Sequence, residues 1–482
     1  MSLDNIPPGQ TDTLAASVGT PKLTLLRRGR IIRHVWYASK CAAVSYLNEH
    51  PSRGFPMRYW PLIVLVTIPA LLFTGCAKKS EPAGKQQTTS LKFLAMEYDT
   101  NTRPFMEKVK QQFEAANPDI KLDIEVVDWN LGKDKLATLV AANNAPDLAN
   151  IATIWLPEYV NLDVVEPMDS YLSPEMRDRF LPVTLHGAEY QGKLYGLPIA
   201  VSARAMYYNK DLLGNNKPPT NWQELVTVAK KCTDTTKGVY GFGIQGSKVE
   251  TDVYWYYFLW ANGGQILSPD GKEAIFNSPA GVEALQFVCD LVSKEKCTEP
   301  EPTAYDREGL QEMFKAGKLA MTITGPWFWK MLKKDVPNLH YGVAPIPGNK
   351  QQKTMAVTDN LIMFKSCKDK QAAWKFIEFF YKPELRQEWA ETFGMIPELK
   401  SVAQSDFIKQ SPEWTTFLSL LDSGVFVPLH PRWTAIAKEI EVGVQQALLG
   451  EKTPKAALDA AKTRVDALLK EPATPASTAP AS

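Results

Sequence analysis

Glu97 and Asp99 stand two residues apart just after the apolar run LKFLAM, and Trp327 follows a second run, LAMTIT, directly behind Gly325-Pro326. Carboxylates at the end of a strand accept paired hydrogen bonds from vicinal hydroxyls, which suits a polyol. An aromatic plane meets the apolar C–H face of a pyranose at little entropic cost. Pro326 is expected to open a helix, which places Trp327 in its first turn and aims the ring beyond the strand. Tyr254, Trp255 and Tyr256 form a dense aromatic patch at a helix start, with one ring expected to face a ligand and the others the core. Arg204 and Arg432 would meet an anionic solute if both pointed inward; ordinary salt bridging at a surface or hinge is the preferred reading. Each of these residues also has a plain structural use. Glu97 and Asp99 suit a solvated loop with a helix-capping acid, and large aromatics suit a core.

The surrounding pattern says what must hold such a site. Leu91–Met96 reads as a buried strand, and Phe105, Val109 and Phe113 fall on one face of a helix. Leu122, Ile124 and Val126 alternate as a second strand. Leu136, Leu139 and Val140 mark another helix, and residues 147–151 a third strand. Strand, helix, strand, helix, strand predicts a right-handed βαβ series and a largely parallel sheet. The same grammar resumes after about residue 204, so the chain is expected to hold two α/β units. Open α/β sheets take ligands beyond the carboxyl ends of their strands, where the carboxylates and aromatics above fall.

Composition excludes several functions. The chain has 482 residues, a net charge of +1 and no long basic run, which argues against nucleic-acid binding. Six cysteines and five histidines, with no CxxC pair, argue against a metal site. Cys289 and Cys297 are the candidate disulfide in an oxidising compartment; two free buried thiols are the alternative. Residues 60–73, WPLIVLVTIPALLF, are roughly 14 in number, short for a membrane span and suited to the core of a secretory signal. Leu72-Phe73-Thr74-Gly75-Cys76 follows, the pattern of a bacterial lipobox in which Cys76 takes a lipid. Residues 57–76 are thus expected to be a lipoprotein signal peptide starting at Met57, and residues 77–90 a flexible tether. Residues 1–56 are read as an upstream extension from a misplaced start, and the Pro/Ala/Ser-rich residues 471–482 as a disordered tail.

Gly192-Lys193-Leu194-Tyr195-Gly196-Leu197-Pro198, followed by Met206-Tyr207-Tyr208-Asn209-Lys210-Asp211-Leu212, resembles the hinge-crossing segment of the extracellular solute-binding proteins of family 1. Trp222-Gln223-Glu224-Leu225, Asn262-Gly263-Gly264, Gly325-Pro326-Trp327 and Phe393-Gly394-Met395-Ile396-Pro397 continue the match in order. The resemblance implies a type II periplasmic-binding-protein fold, with two α/β lobes, a hinge and a central cleft. It implies lobe 1 over residues 91–201 and 352–400, and lobe 2 over 202–351 and 401–470. It adds Trp155, Asp359, Asn360 and Met395 to the expected substrate-binding residues. It also implies a lipid-anchored monomer on the outer face of the cell membrane, without cofactor or catalysis. Its partners would be a sugar or polyol, ABC permease subunits and, through them, a cytoplasmic ATPase. The competing readings are an anionic polyol of the glycerol-phosphate type, a glycoside hydrolase and a scaffolding lipoprotein.

Overall fold

The computed structural model describes residues 88–247 and 254–471. The anticipated signal peptide and Cys76 lie outside these residues, as do the upstream extension and all of the tail beyond Glu471. The strand β1 (Thr89–Met96) already takes up the last two residues assigned to the tether.

The first sheet runs β11 (Gly424–Val425), β10 (Thr354–Met363), β3 (Leu148–Ala152), β1 and β2 (Ile120–Val127), with β6 (Gly196–Ala203) on the other side of β10. β1 pairs in parallel with β2 and β3, as helical crossovers require, while β10 returns antiparallel to both β3 and β6. The alternation of β1 explains why both its faces are covered. Leu91, Phe93 and Ala95 enter one core, with Phe113 of the Thr102–Ala116 helix and Phe376 of the Lys370–Phe380 helix. Leu94 and Met96 enter another, with Leu136 of the Trp129–Ala141 helix. A short hairpin, β4 (Glu189–Tyr190) with β5 (Lys193–Leu194), precedes β6.

The second sheet is antiparallel, in the order β8 (Met321–Thr324), β7 (Ala205–Asn209), β9 (Tyr341–Ala344). Met206 on one face joins a core with the Trp433–Leu448 and Pro454–Lys470 helices, while Tyr207 on the other joins Phe314, Phe328 and Phe417. The Trp222–Cys232 helix opens on a reciprocal cap: Asn221 accepts from Glu224 N–H at 2.9 Å, and Glu224 reaches back to Thr220 N–H at 2.8 Å. Tyr240, Phe242 and Ile244, which alternate like a strand, form only an isolated bridge from Tyr240 to Leu319.

Only Arg204 separates β6 of the first sheet from β7 of the second. Thr354, where β10 returns, accepts from Arg204 N–H at 3.2 Å and donates its hydroxyl to Arg204 carbonyl at 2.5 Å. The β6–β10 pairing thus continues to the residue where the chain passes between the sheets, where a hinge would bend.

The second lobe also holds a buried carboxyl. Glu299 accepts from Ile244 N–H at 2.8 Å through Oε1, while Oε2 is buried without a partner. Burial pushes this acid up to about 8, opposed by the backbone N–H bonds. The folded protein thus keeps a proton that the unfolded chain loses near the ordinary carboxylate range, so this contribution to stability drains away as pH climbs through neutrality. Urea unfolding of wild type and Glu299→Gln at pH 5, 7 and 9 should show wild type weakening more steeply with pH than the variant. Parallel slopes would refute this.

Candidate functional site

Between the two sheets, residues from both lobes converge around Trp327. Its ring lies over Gly325, where an added Cβ would stand 2.2 Å from the indole, so only glycine admits this fold-back. The guanidinium carbons of Arg204 and Arg307 each stand 5.2 Å from the ring centroid, a cation–π arrangement that holds the indole in place. Trp327 packs against the core of the first lobe and against the core behind the second sheet. Gly394, left-handed at φ 70°, closes the Pro383–Phe393 helix of the first lobe, and a Cβ there would be 3.3 Å from Trp327 Cα.

The first lobe contributes Tyr98, Trp129 and Asp359, the last lying within the influence of the Arg204 charge. Tyr98 donates its hydroxyl to Asp359 Oδ2 at 2.9 Å. Its ring makes edge contacts with Trp129 at 5.6 Å and Trp389 at 5.2 Å. Burial pushes the Asp359 carboxyl up to about 7, against the lowering effects of the Tyr98 hydrogen bond and the Arg204 charge. Burial and the adjacent Asp359 hold the Tyr98 phenol well above its usual range. Lys330, half-buried, is drawn below its usual range by burial, opposed by the charges of Glu391 and Asp99. The site thus combines aromatic planes with charged groups that donate and accept hydrogen bonds.

The expected residues divide accordingly. Trp327, Arg204 and Asp359 meet at the junction, and Trp155 stands behind it, 5.6 Å from Trp129. Glu97 instead pairs with Arg103 at 3.2 Å on the surface. Asp99 closes a local turn, accepting from Asn101 N–H at 2.7 Å and Asn101 Nδ2 at 3.1 Å, and does not cap the Thr102–Ala116 helix that follows. Tyr254 and Trp255 are corrections: with Tyr256 they are buried in the second-lobe core, and Tyr254 donates to Gly243 carbonyl at 2.7 Å. Asn360 is another, being wholly buried, with its amide nitrogen donating to Thr153 Oγ1 at 3.0 Å and Gly187 carbonyl at 2.9 Å. Met395 sits in the first-lobe core, its carbonyl taken by Trp414 Nε1 at 3.1 Å. Arg432 pairs with Glu471 at 2.7 Å, the salt bridge preferred for it. Cys289 and Cys297 are free buried thiols, so the candidate disulfide is not formed.

Sequence reading missed Tyr98, Trp129, Arg307 and Lys330. Trp129 had a signal, since it follows β2 directly and Asp128 caps its helix through Asn130 N–H at 2.8 Å. Tyr98 had none, because flanking acids disguised it as loop. A concavity of about 700 Å³ between the Trp222–Cys232 and Pro279–Ser293 helices lies on the second lobe alone. Its Trp222 is stacked on Phe287 at 4.3 Å and its Lys230 is paired with Glu295 at 2.7 Å, so its chemistry is already used internally.

Two hinged α/β lobes with aromatic and charged groups meeting between their sheets define a solute-binding protein. Residues 98–387 match the model of the bacterial extracellular solute-binding proteins, and the chain belongs to that family. It is 37% identical over 420 residues to the binding protein BAB2_0491 of Brucella abortus (strain 2308), spanning 86% of this chain and 100% of that one. It is 26% identical to the maltotriose-binding protein of Pyrococcus abyssi (strain GE5 / Orsay), over 77% of this chain and 78% of that one. Among solved structures it resembles an ABC transporter solute-binding protein of Thermotoga lettingae bound with α-D-tagatose. That match has a TM-score of 0.72 and 28% identity, and covers 79% of this chain and all of the other. It also resembles maltose-bound MalE3 of T. maritima, with a TM-score of 0.70 and 25% identity, over 79% and 100% of the two chains. Family and neighbours are binding proteins rather than enzymes.

Proposed function

We propose that this chain captures a sugar or sugar-like polyol between its lobes, outside the cytoplasmic membrane, and hands it to an ABC permease driven by a cytoplasmic ATPase. The observation that carries the reading is that Arg204, whose guanidinium lies 5.2 Å from the partly exposed Trp327 ring centroid, also bears on the partly exposed Asp359, which Tyr98 hydrogen-bonds. An aromatic plane on one side and a hydrogen-bonded carboxyl on the other complement the two kinds of surface a pyranose offers. The sugars in the neighbouring structures, tagatose and maltose, and the maltotriose of the archaeal relative supply the first ligands to try. Lipid anchoring through Cys76 and a monomeric state are part of the same proposal. Intact mass of protein from native membranes would show a diacylglycerol-modified Cys76 at the amino terminus.

The test is a thermal-shift screen with maltotriose, maltose, tagatose and glycerol phosphate. A ligand at 100 to 1,000 times its Kd adds about 3–4 kcal/mol to stability and raises Tm clearly. Sugars should shift the protein and glycerol phosphate should not. No shift with any sugar or polyol would refute the reading, and turnover of an oligosaccharide would replace it with the hydrolase.

The carboxyl of Asp359 gives a second expectation. Below about 7 it holds a proton and loses capacity to accept hydroxyl hydrogen bonds. Affinity for a neutral sugar should therefore fall as pH drops from 8 to 6, by up to about tenfold, since one pH unit of linked protonation is worth ~1.4 kcal/mol. Titration calorimetry at both pH values should show this for wild type and a flat response for Asp359→Asn. Equal pH dependence in the two proteins would remove Asp359 from the site.

A further inference from the structure

The first turn of the Trp129–Ala141 helix is built to reach across the gap between the lobes. Gly132 brings it close: a Cβ there would stand 2.3 Å from Met96 Sδ, so the helix seats directly on the end of β1. From that seat Trp129 turns its ring to Tyr98, Leu131 is left 68% exposed, and Lys133 extends beyond its own lobe. Lys133 Nζ lies 3.6 Å from Glu158 Oε2 in the first lobe and 3.3 Å from Thr434 Oγ1 in the second. Thr434 is the exposed second residue of the Trp433–Leu448 helix, whose Trp433 is buried in the second-lobe core. The two partners are 301 positions apart in sequence and rooted in different lobes. Their contact depends wholly on how the lobes face each other.

We infer that Lys133 and Thr434 form a latch that favours the closed arrangement of the lobes, with Lys133 a positioning residue that slows ligand escape. The inference rests on the capture reading above for its purpose, though not for its geometry. Glu158 completes the device. When the lobes part, it keeps a counter-charge beside the ammonium, so opening costs one hydrogen bond rather than a stranded charge. That makes the latch weak enough to release. A charged donor to a neutral acceptor at a half-exposed site should change the open fraction by roughly three- to tenfold. A ligand held between closed lobes leaves only when they part, so losing the contact quickens escape; in the unliganded protein it also leaves a larger share of molecules open to entry.

The experiment uses the full chain with fluorescent labels on the two lobes, in wild type, Lys133→Met, Thr434→Val and the double variant. Energy transfer without sugar should show the open fraction rising three- to tenfold in each single variant. The double variant should go no further, because both changes break one contact. Stopped-flow release of maltotriose should quicken by the same factor, association should quicken with the larger open fraction, and unliganded Tm should stay unchanged. An unchanged open fraction in both single variants, or additive effects in the double, would overturn the latch. A wild type that binds no sugar would sink the capture reading instead, while the labels still decide the latch.

Discussion

Trp327→Ala is expected to weaken sugar binding by about 30- to 1,000-fold, equivalent to ~2–4 kcal/mol, the range found when a central aromatic anchor is truncated. The argument is positional. Trp327 sits where β8 ends, with Gly325 cleared beneath the ring and two guanidiniums fixing its orientation. Truncation removes the plane and also frees Arg204 and Arg307 from it, so direct and indirect losses add. Trp327→Phe keeps a plane and should recover much of the affinity. Calorimetry with maltotriose separates these outcomes, provided Tm of each unliganded variant is measured beside it. If Trp327→Ala binds maltotriose as wild type does, the site lies elsewhere.

Arg386→Met should cost about 3–5 kcal/mol of folding stability, because it strands a buried carboxylate. Arg386 is 1% exposed; its Nε donates to Glu398 Oε1 at 2.5 Å and its Nη2 to Ile199 carbonyl at 2.5 Å. Its guanidinium also lies 5.0 Å from the rings of both Phe380 and Trp389. Through these contacts it ties the hinge strand β6 to the Pro383–Phe393 helix and to the segment that follows it. Removing both charges together, in Arg386→Met with Glu398→Leu, should return much of the loss, since no unpaired ion remains. Urea unfolding of the three variants measures this. A double variant as unstable as the single would mean that the pair contributes packing rather than charge compensation.

Both predictions concern residues that differ greatly in how visible they were beforehand. Trp327 could be read from Pro326 and the apolar run before it, since a local signal places it after a strand. Arg386 lies within a helix of mixed polarity and looks like a surface cation. Only the folding of residues 196–203 beneath it turns that cation into an internal clamp. Tyr254 and Trp255 show the opposite error. An aromatic cluster is equally suited to a cleft and to a core, and burial among Phe242, Phe258 and Trp260 decides for the core. Asp359 and Asn360 make the same point at single-residue resolution. Adjacent positions on β10 point to opposite faces, so one meets Tyr98 while the other is consumed by Thr153 and Gly187.

The amino-acid order by itself determined the two α/β units, the crossing near Arg204 and the family. These follow from hydrophobic periodicity, caps and short motifs, which are local properties of the chain. Which side chains face the gap was settled only by tertiary structure. Strand register, helix rotation and the approach of two lobes are set by contacts between residues hundreds of positions apart, as Lys133 with Thr434 and Tyr98 with Asp359 show.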